Sequence, residues 1–326
     1  MIPNLAHFIW FGAQLPWVHA LALRSAARNG GFDRLILHHA DELAGTPVWP
    51  ELLAIPGFEA RRIDESALDR MFAALGSGAD ELRTIYAQLR APAARANVLR
   101  ALILAVEGGV YLDLDTITVR SLEPLRRANG AFCGAEHLVW PAAVRRAKGL
   151  AVRLQGLARA GVRDLHRRLP GGWRSFRAFE HLYPTAANNA VLGATPGHPF
   201  VRRLIDGMIA VPEQRRLVRF ALGTHLLQDT LAHAREPDLA VLPPRVFYPL
   251  GPEISEHWFR IRRELPPLEQ VIGPDTRVVH WYASVRTQKL VPRIDAAYVR
   301  AHAKRQLFSA LALRVLEDRD EPGRSG

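Results

Sequence analysis

Two aspartates one residue apart, Asp113 and Asp115, close the apolar run Val110-Tyr111-Leu112. In a strand, residues i and i+2 point to the same side, so the two carboxylates are expected to converge where the chain leaves the sheet. Neighbouring carboxylates repel unless a cation lies between them. Oxygen ligands with room left for phosphate and water suit Mg²⁺ or Mn²⁺. The ends of strands in open α/β sheets are also where ligands bind. A turn-capping aspartate beside a solvated one is the plainer role the same pair fits. Arg100, with Asn97 one turn earlier on the same helix face, precedes the pair and supplies a cation and an amide.

The elements that must position these residues follow from pattern. Leu5 to Phe11 is apolar apart from His7 and is bounded by Gly12 and Pro16, which predicts a short buried strand. A helix over about Trp17 to Arg28 and a second strand at Leu35-Ile36-Leu37-His38 come next. Pro92 suits the first position of a helix, where its missing N–H does no harm. That helix is expected to run to Glu107 and stop at Gly108-Gly109, leading into the strand that carries the aspartates. Val278-Val279 reads as a late strand ending at His280. Alternating strands and helices imply an α/β fold with a mixed, largely parallel central sheet and helical insertions.

Composition sets outer limits. The 326 residues are 48% hydrophobic and 23% charged, which excludes a long disordered chain. No stretch nears the roughly 18 apolar residues of a membrane span. Met1-Ile2-Pro3-Asn4 lacks the basic start of a secretory signal, so a cytoplasmic protein is expected. Cys133 is the single cysteine, which excludes an intramolecular disulfide and a multi-cysteine metal site. A net charge of +11 suits an anionic partner: nucleic acid, a membrane surface or a phosphate-bearing substrate. Much of that excess lies in 145–180, where nine arginines and Lys148 face only Asp164 and Glu180. Pro170-Gly171-Gly172 divides this stretch into two expected helices. It reads as a basic insertion in a domain spanning 1–290. A basic helix over about Asp295 to Leu316, with Leu307, Phe308, Leu311 and Val315 as its apolar stripe, and a charged tail make up 291–326.

Four pieces carry a resemblance. They are Ile2-Pro3 through His7-Phe8-Ile9-Trp10-Phe11-Gly12, the block Asn97–Asp115, Asn189 through Pro199, and His280-Trp281-Tyr282-Ala283-Ser284. In this order they resemble the DXD-containing glycosyltransferases of family 32, which include initiating mannosyltransferases and capsular polysaccharide transferases. They are similar also to the glucosyltransferase domain of large clostridial toxins.

The resemblance implies a GT-A-type nucleotide-sugar-binding fold. It implies a retaining, metal-dependent hexosyl transfer from a UDP- or GDP-linked sugar to a glycan, lipid-linked or protein acceptor. By residue, it implies that Trp10 stacks on the nucleotide base, Arg100 contacts the sugar and the first aspartate, and Tyr111 lies on the nucleotide side. Asn189 would line the donor pocket. Asn97 stands where many relatives have aspartate, so one acceptor oxygen replaces two there. Ser284 belongs to the closing loop but lacks the following tryptophan; Trp281 is the candidate substitute. His280 would complete the metal shell with Asp113 and Asp115, and Asp229 is a loose candidate acid near the acceptor.

Two other classes compete. Leu112-Asp113-Leu114-Asp115-Thr116-Ile117 superficially looks like an aspartyl-phosphate phosphatase motif, but Ile117 replaces the Thr or Val that motif wants. A basic module for nucleic acid or anionic membrane would use the arginines of 145–180 with Trp173, Phe176 and Phe179. Peripheral membrane contact is the form of that reading kept here, and nucleic acid is not the expected partner.

Overall fold

In the computed structural model, which describes residues 1–317 except 142, 143, 146, 148, 219 and 286, seven strands form one mixed sheet. They are β1 (Leu5–Trp10), β2 (Arg34–His39), β3 (Phe58–Arg62), β4 (Gly109–Leu112), β6 (Ala131–His137), β7 (Thr185–Ala194) and β8 (Leu239–Leu242), in the order β3-β2-β1-β4-β7-β6-β8. Pairings β3–β2–β1–β4 and β6–β8 are parallel, whereas β7 runs antiparallel to both β4 and β6. The mixed, largely parallel α/β sheet expected from the sequence is therefore present. A two-stranded antiparallel ribbon, β5 (Thr116–Thr118) with β9 (Val278–His280), stands apart from it.

The principal helices are α1 (Trp17–Asn29), α2 (Pro92–Val106), α3 (Leu150–Arg168), α4 (Gly172–Phe179), α5 (Pro199–Ala210), α6 (Thr224–Ala232) and α7 (Leu307–Leu316). Strand alternation sorts side chains between two layers. Phe8, Leu35, Leu37, Val110 and Leu112 join Ala22, Leu23 and Ala26 of α1. Ile9, Tyr111 and Leu192 join Val98, Leu99 and Leu102 of α2 and Phe200 and Leu204 of α5. Each such buried aliphatic side chain stabilises the fold by roughly 1.5–3 kcal/mol.

Pro92 opens α2 as expected. Two left-handed glycines then turn the chain into β4, Gly108 at φ 69° and Gly109 at φ 94°. A Cβ on Gly108 would lie 2.6 Å from Pro196, and one on Gly109 about 3 Å from the His7 ring, so neither conformation nor space admits a side chain.

The C-terminal region departs from its expectation as one helix. It breaks into Ala296–His302 and α7, between which Gln306 turns inward and bonds Phe259 O and Tyr298 Oη. The predicted stripe Leu307, Phe308, Leu311 and Val315 is buried, packed with Trp258 and Trp281. The charged tail lies outside the described residues.

Candidate active site

β1, β2 and β4 are parallel, so their carboxyl ends open on one edge of the sheet. Asp113 and Asp115 lie here, but strand alternation does not align them. β4 ends at Leu112, and the aspartates sit in the turn joining it to β5. The turn is fixed from four sides. Asp113 N–H donates to Ala190 O of β7, and Thr116 Oγ1 donates to Asp113 O. The buried His19 of α1 donates from Nδ1 to Leu114 O, and Trp281 N–H donates to Asp115 O.

Each carboxylate has its own holders. Tyr111 Oη donates to Asp113 Oδ1 at 2.5 Å, and Arg100 Nη2 approaches the same oxygen at 3.2 Å. The Arg100 guanidinium also lies 4.3 Å over the Tyr111 ring and donates to Asn189 O and Ala96 O. Asn97 Oδ1 accepts from Asn189 Nδ2 at 2.9 Å, so Asn97 and Arg100 together clamp Asn189 to α2. Asp115 Oδ2 accepts from Ala283 N–H at 2.8 Å, and its Oδ1 lies 3.0 Å from His280 Nε2. β9 delivers that histidine because His280 pairs with Thr116 across the small ribbon.

Asp113, Asp115 and His280 each offer one ligand atom, all within 4.8 Å of one another. Cis ligands of an octahedral ion with bonds of about 2.1 Å stand about 3.0 Å apart, the spacing seen between Asp115 and His280. His280 Nδ1 is buried without a hydrogen-bond partner, with the Tyr282 and Tyr248 rings close to the imidazole, so Nε2 is the nitrogen it presents to the carboxylates. The residues fit a divalent cation.

The electrostatics divide the pair. Burial raises the Asp113 carboxyl above its usual range, and the neighbouring charge of Asp115 adds to this despite Arg100. Burial acts the same way on Asp115, but the His280 imidazole and the Ala283 N–H outweigh it and hold the group at about 2. Burial alone would lower His280; the charges of Asp115, Asp113 and Glu136 raise it instead. Two carboxylates with one imidazole thus form a strongly interacting set.

The other expected residues spread outward. Trp10, at the end of β1, is partly exposed; its Nε1–H donates to Gly12 O, and its ring lies 5.1 Å from that of His19. Ser284 is exposed next to Ala283. Trp281 is buried, packed on Phe308 and His19. Asp229 is exposed on α6, whose Gln228 accepts from Ala187 N–H of β7.

Several site residues have no counterpart in the sequence reading. Glu136 of β6 is buried and accepts from Tyr282 Oη and Asn188 Nδ2, both at 2.8 Å. Burial pushes its carboxyl up to about 7, against those two donors and His280. Tyr282 carries φ 59°, uncommon for a bulky residue, and Glu136 holds the end of its side chain. A lone glutamate in the apolar strand Ala131–His137 was the available signal. Asn188 is the buried link between β7 and Glu136.

Residues 44–131 match the family described as "Glycosyltransferase sugar-binding region containing DXD motif". The chain is glycosyltransferase-like. The matched stretch holds Asn97, Arg100, Tyr111, Asp113 and Asp115, and the enzyme class expected from the sequence stands. Among solved structures the chain is similar to the PaToxG glycosyltransferase, at 16% identity and a TM-score of 0.41, covering 71% of this chain and 69% of that one. It is similar to the UDP-bound glycosyltransferase domain from the YGT toxin, at 12% identity and 0.36, covering 94% and 80%. Mouse xyloside xylosyltransferase 1, in its apo form, gives 12% identity and 0.40, covering 86% and 98%. No curated protein matches the chain significantly.

Proposed function

We propose that the protein is a retaining hexosyltransferase of the family-32 type. It would move a sugar from a UDP- or GDP-linked donor to a glycan, lipid-linked or protein acceptor, with Mn²⁺ or Mg²⁺ held by Asp113, Asp115 and His280. The carrying observation is the convergence of these three side chains at the carboxyl ends of parallel strands, on a stretch matched to a DXD glycosyltransferase family. We read the fold as GT-A-type, with 1–290 as the transferase unit and 291–326 as a helical appendage.

When bound, the ion supplies a Lewis acid that neutralises charge on the departing diphosphate. The chain's own residues do the rest. Tyr111 and Arg100 fix Asp113; His280 and the Ala283 N–H fix Asp115. Rigid ligands of this kind need no reorganisation as charge develops. Arg100 acts mainly through Asp113 and Asn189, because only 7% of its side chain is exposed. Trp10 offers its partly exposed indole to the nucleotide base. Asn97 and Asn189 border the sugar, and Ser284 stands at the loop end for the phosphates. The anomeric carbon becomes oxocarbenium-like as the bond to the diphosphate breaks. The acceptor hydroxyl attacks on the leaving-group face and passes its proton to the departing diphosphate oxygen, which retains configuration without an enzyme nucleophile.

Hydrolysis of UDP- and GDP-sugars with Mn²⁺ tests this reading. Asp115→Asn should reduce turnover at least about 10²-fold, the scale of losing a key electrostatic stabiliser. Turnover that survives both this substitution and a chelator would overturn the metal assignment.

A further inference from the structure

Helix α3 packs one face on the fold and leaves an apolar face exposed on the other side. On the packed side, Gly156 fits against Trp140 so closely that a Cβ would lie 2.5 Å from the indole. His166 is buried on the same side, and its carbonyl lies 3.1 Å from His257 Nε2. Arg163 and Arg167 also turn inward, to Glu253 and Glu256. At about 100° per residue, Leu150, Leu154, Leu157 and Leu165 fall within an arc of about 80° on the opposite side. They are 71%, 55%, 60% and 57% exposed. Gly161 lies in the same stripe and leaves it unobstructed, and Leu169, 44% exposed, follows at the helix end.

Scattered exposed leucines need no explanation, but an aligned stripe along 19 residues of helix does. Basic side chains accompany it. Arg153 is exposed along one edge of the leucines and Arg168 lies in line with them at the helix end, while the nearby Asp164 is bound by Arg163 and Arg167. A helix with an apolar face accompanied by arginines is suited to lie in the plane of a membrane interface. A second copy of the chain fits less well. It would set Arg153 and Arg168 against an equally basic surface, and Gly161 and Asp164 interrupt the heptad a helix pair would need.

We propose that this face of α3 docks the enzyme on an anionic lipid bilayer. The leucines enter the headgroup–acyl boundary, and Arg153 and Arg168 meet lipid phosphates. This revises the expectation from composition, in which the arginines of 145–180 acted as a general basic patch. Several of those arginines are held by the protein itself, and the exposed leucines become the principal contacts.

The test is sedimentation with phosphatidylcholine vesicles that contain or lack phosphatidylglycerol. Leu154→Glu with Leu157→Glu should lower partition onto the anionic vesicles at least about 10²-fold, roughly tenfold for each leucine kept in water. Arg153→Gln with Arg168→Gln should lower it about 30-fold, since each basic residue near such a surface contributes about 1 kcal/mol. Hydrolysis of soluble donor should be unchanged in both variants, so failure of docking and failure of the transferase reading are separate results. Unaltered partition of the leucine variant would overturn the proposal, as would equal binding to neutral vesicles. So would a concentration-dependent dimer, abolished by the leucine changes, in a protein that ignores vesicles.

Discussion

The crevice at the strand ends and the insertion α3–α4 both press arginines against carboxylates, with opposite results. In the insertion two arginines are closed by carboxylates: Arg163 binds Glu253 and Asp164, and Arg167 binds Glu256 and Asp164. In the crevice the balance stays incomplete. Asp113 and Asp115 share one arginine and one imidazole, and keep 26% and 15% of their side chains open. Formal charge is greatest in the insertion, yet the three side chains that could hold a cation converge at the strand ends.

The largest effect that separates the regions is on stability. Arg163 is 14% exposed and its partner Glu253 11%, so Arg163→Ala strands a largely buried carboxylate. It should cost about 3 kcal/mol of unfolding free energy. The exposed Arg168 should tolerate alanine within about 0.5 kcal/mol. Urea melts of both variants, paired with donor hydrolysis, measure the contrast. Both should leave turnover intact, and equal melts would show that the insertion's charges are not closed as described.

The same contrast explains what the sequence made legible. The aspartate pair, Arg100 and His280 were readable because few residue types do this chemistry, and their elements were marked by Pro92 and Gly108-Gly109. How the pair converges was not readable: the period of a strand suggested it, whereas a turn pinned by His19, Ala190 and Trp281 achieves it. Glu136 and Asn188 escaped because their importance comes from mutual burial across β6 and β7, a long-range pairing with no local pattern. In the insertion, composition announced positive charge. It gave no sign that Arg174 and Arg177 would reach Gln270 and Val271 while leucines faced solvent.

A smaller effect tests whether the crevice extends to the end of β1. If the Trp10 indole covers the nucleotide base, Trp10→Ala should weaken nucleoside-diphosphate binding by about 1–3 kcal/mol. Titration calorimetry with UDP and GDP reads this directly. Unchanged affinity in a folded variant would confine the working crevice to the aspartates and return Trp10 to packing on His19.

The smallest effect concerns the sign of a pH response in the two regions. Burial raises Glu136 from 4.5 to about 7 in the folded protein. Its contribution to stability is therefore full below about pH 4.5 and is lost as pH rises through about 7. Glutamine keeps an acceptor for Tyr282 and Asn188 but stays neutral throughout. The stability of Glu136→Gln relative to the natural protein should therefore climb across this window and then level off. In the insertion, Arg163 bonding holds the Asp164 carboxyl below its ordinary value of 3.8. Its contribution is present above that value and fades as pH falls, so Asp164→Asn should lose stability near neutrality and converge with the natural protein in acid. Urea melts of the two variants from about pH 3 to about pH 8 should show opposite slopes. Parallel slopes would mean that Glu136 is solvated like a surface carboxylate and that Tyr282 is held by something other than a neutral buried acid.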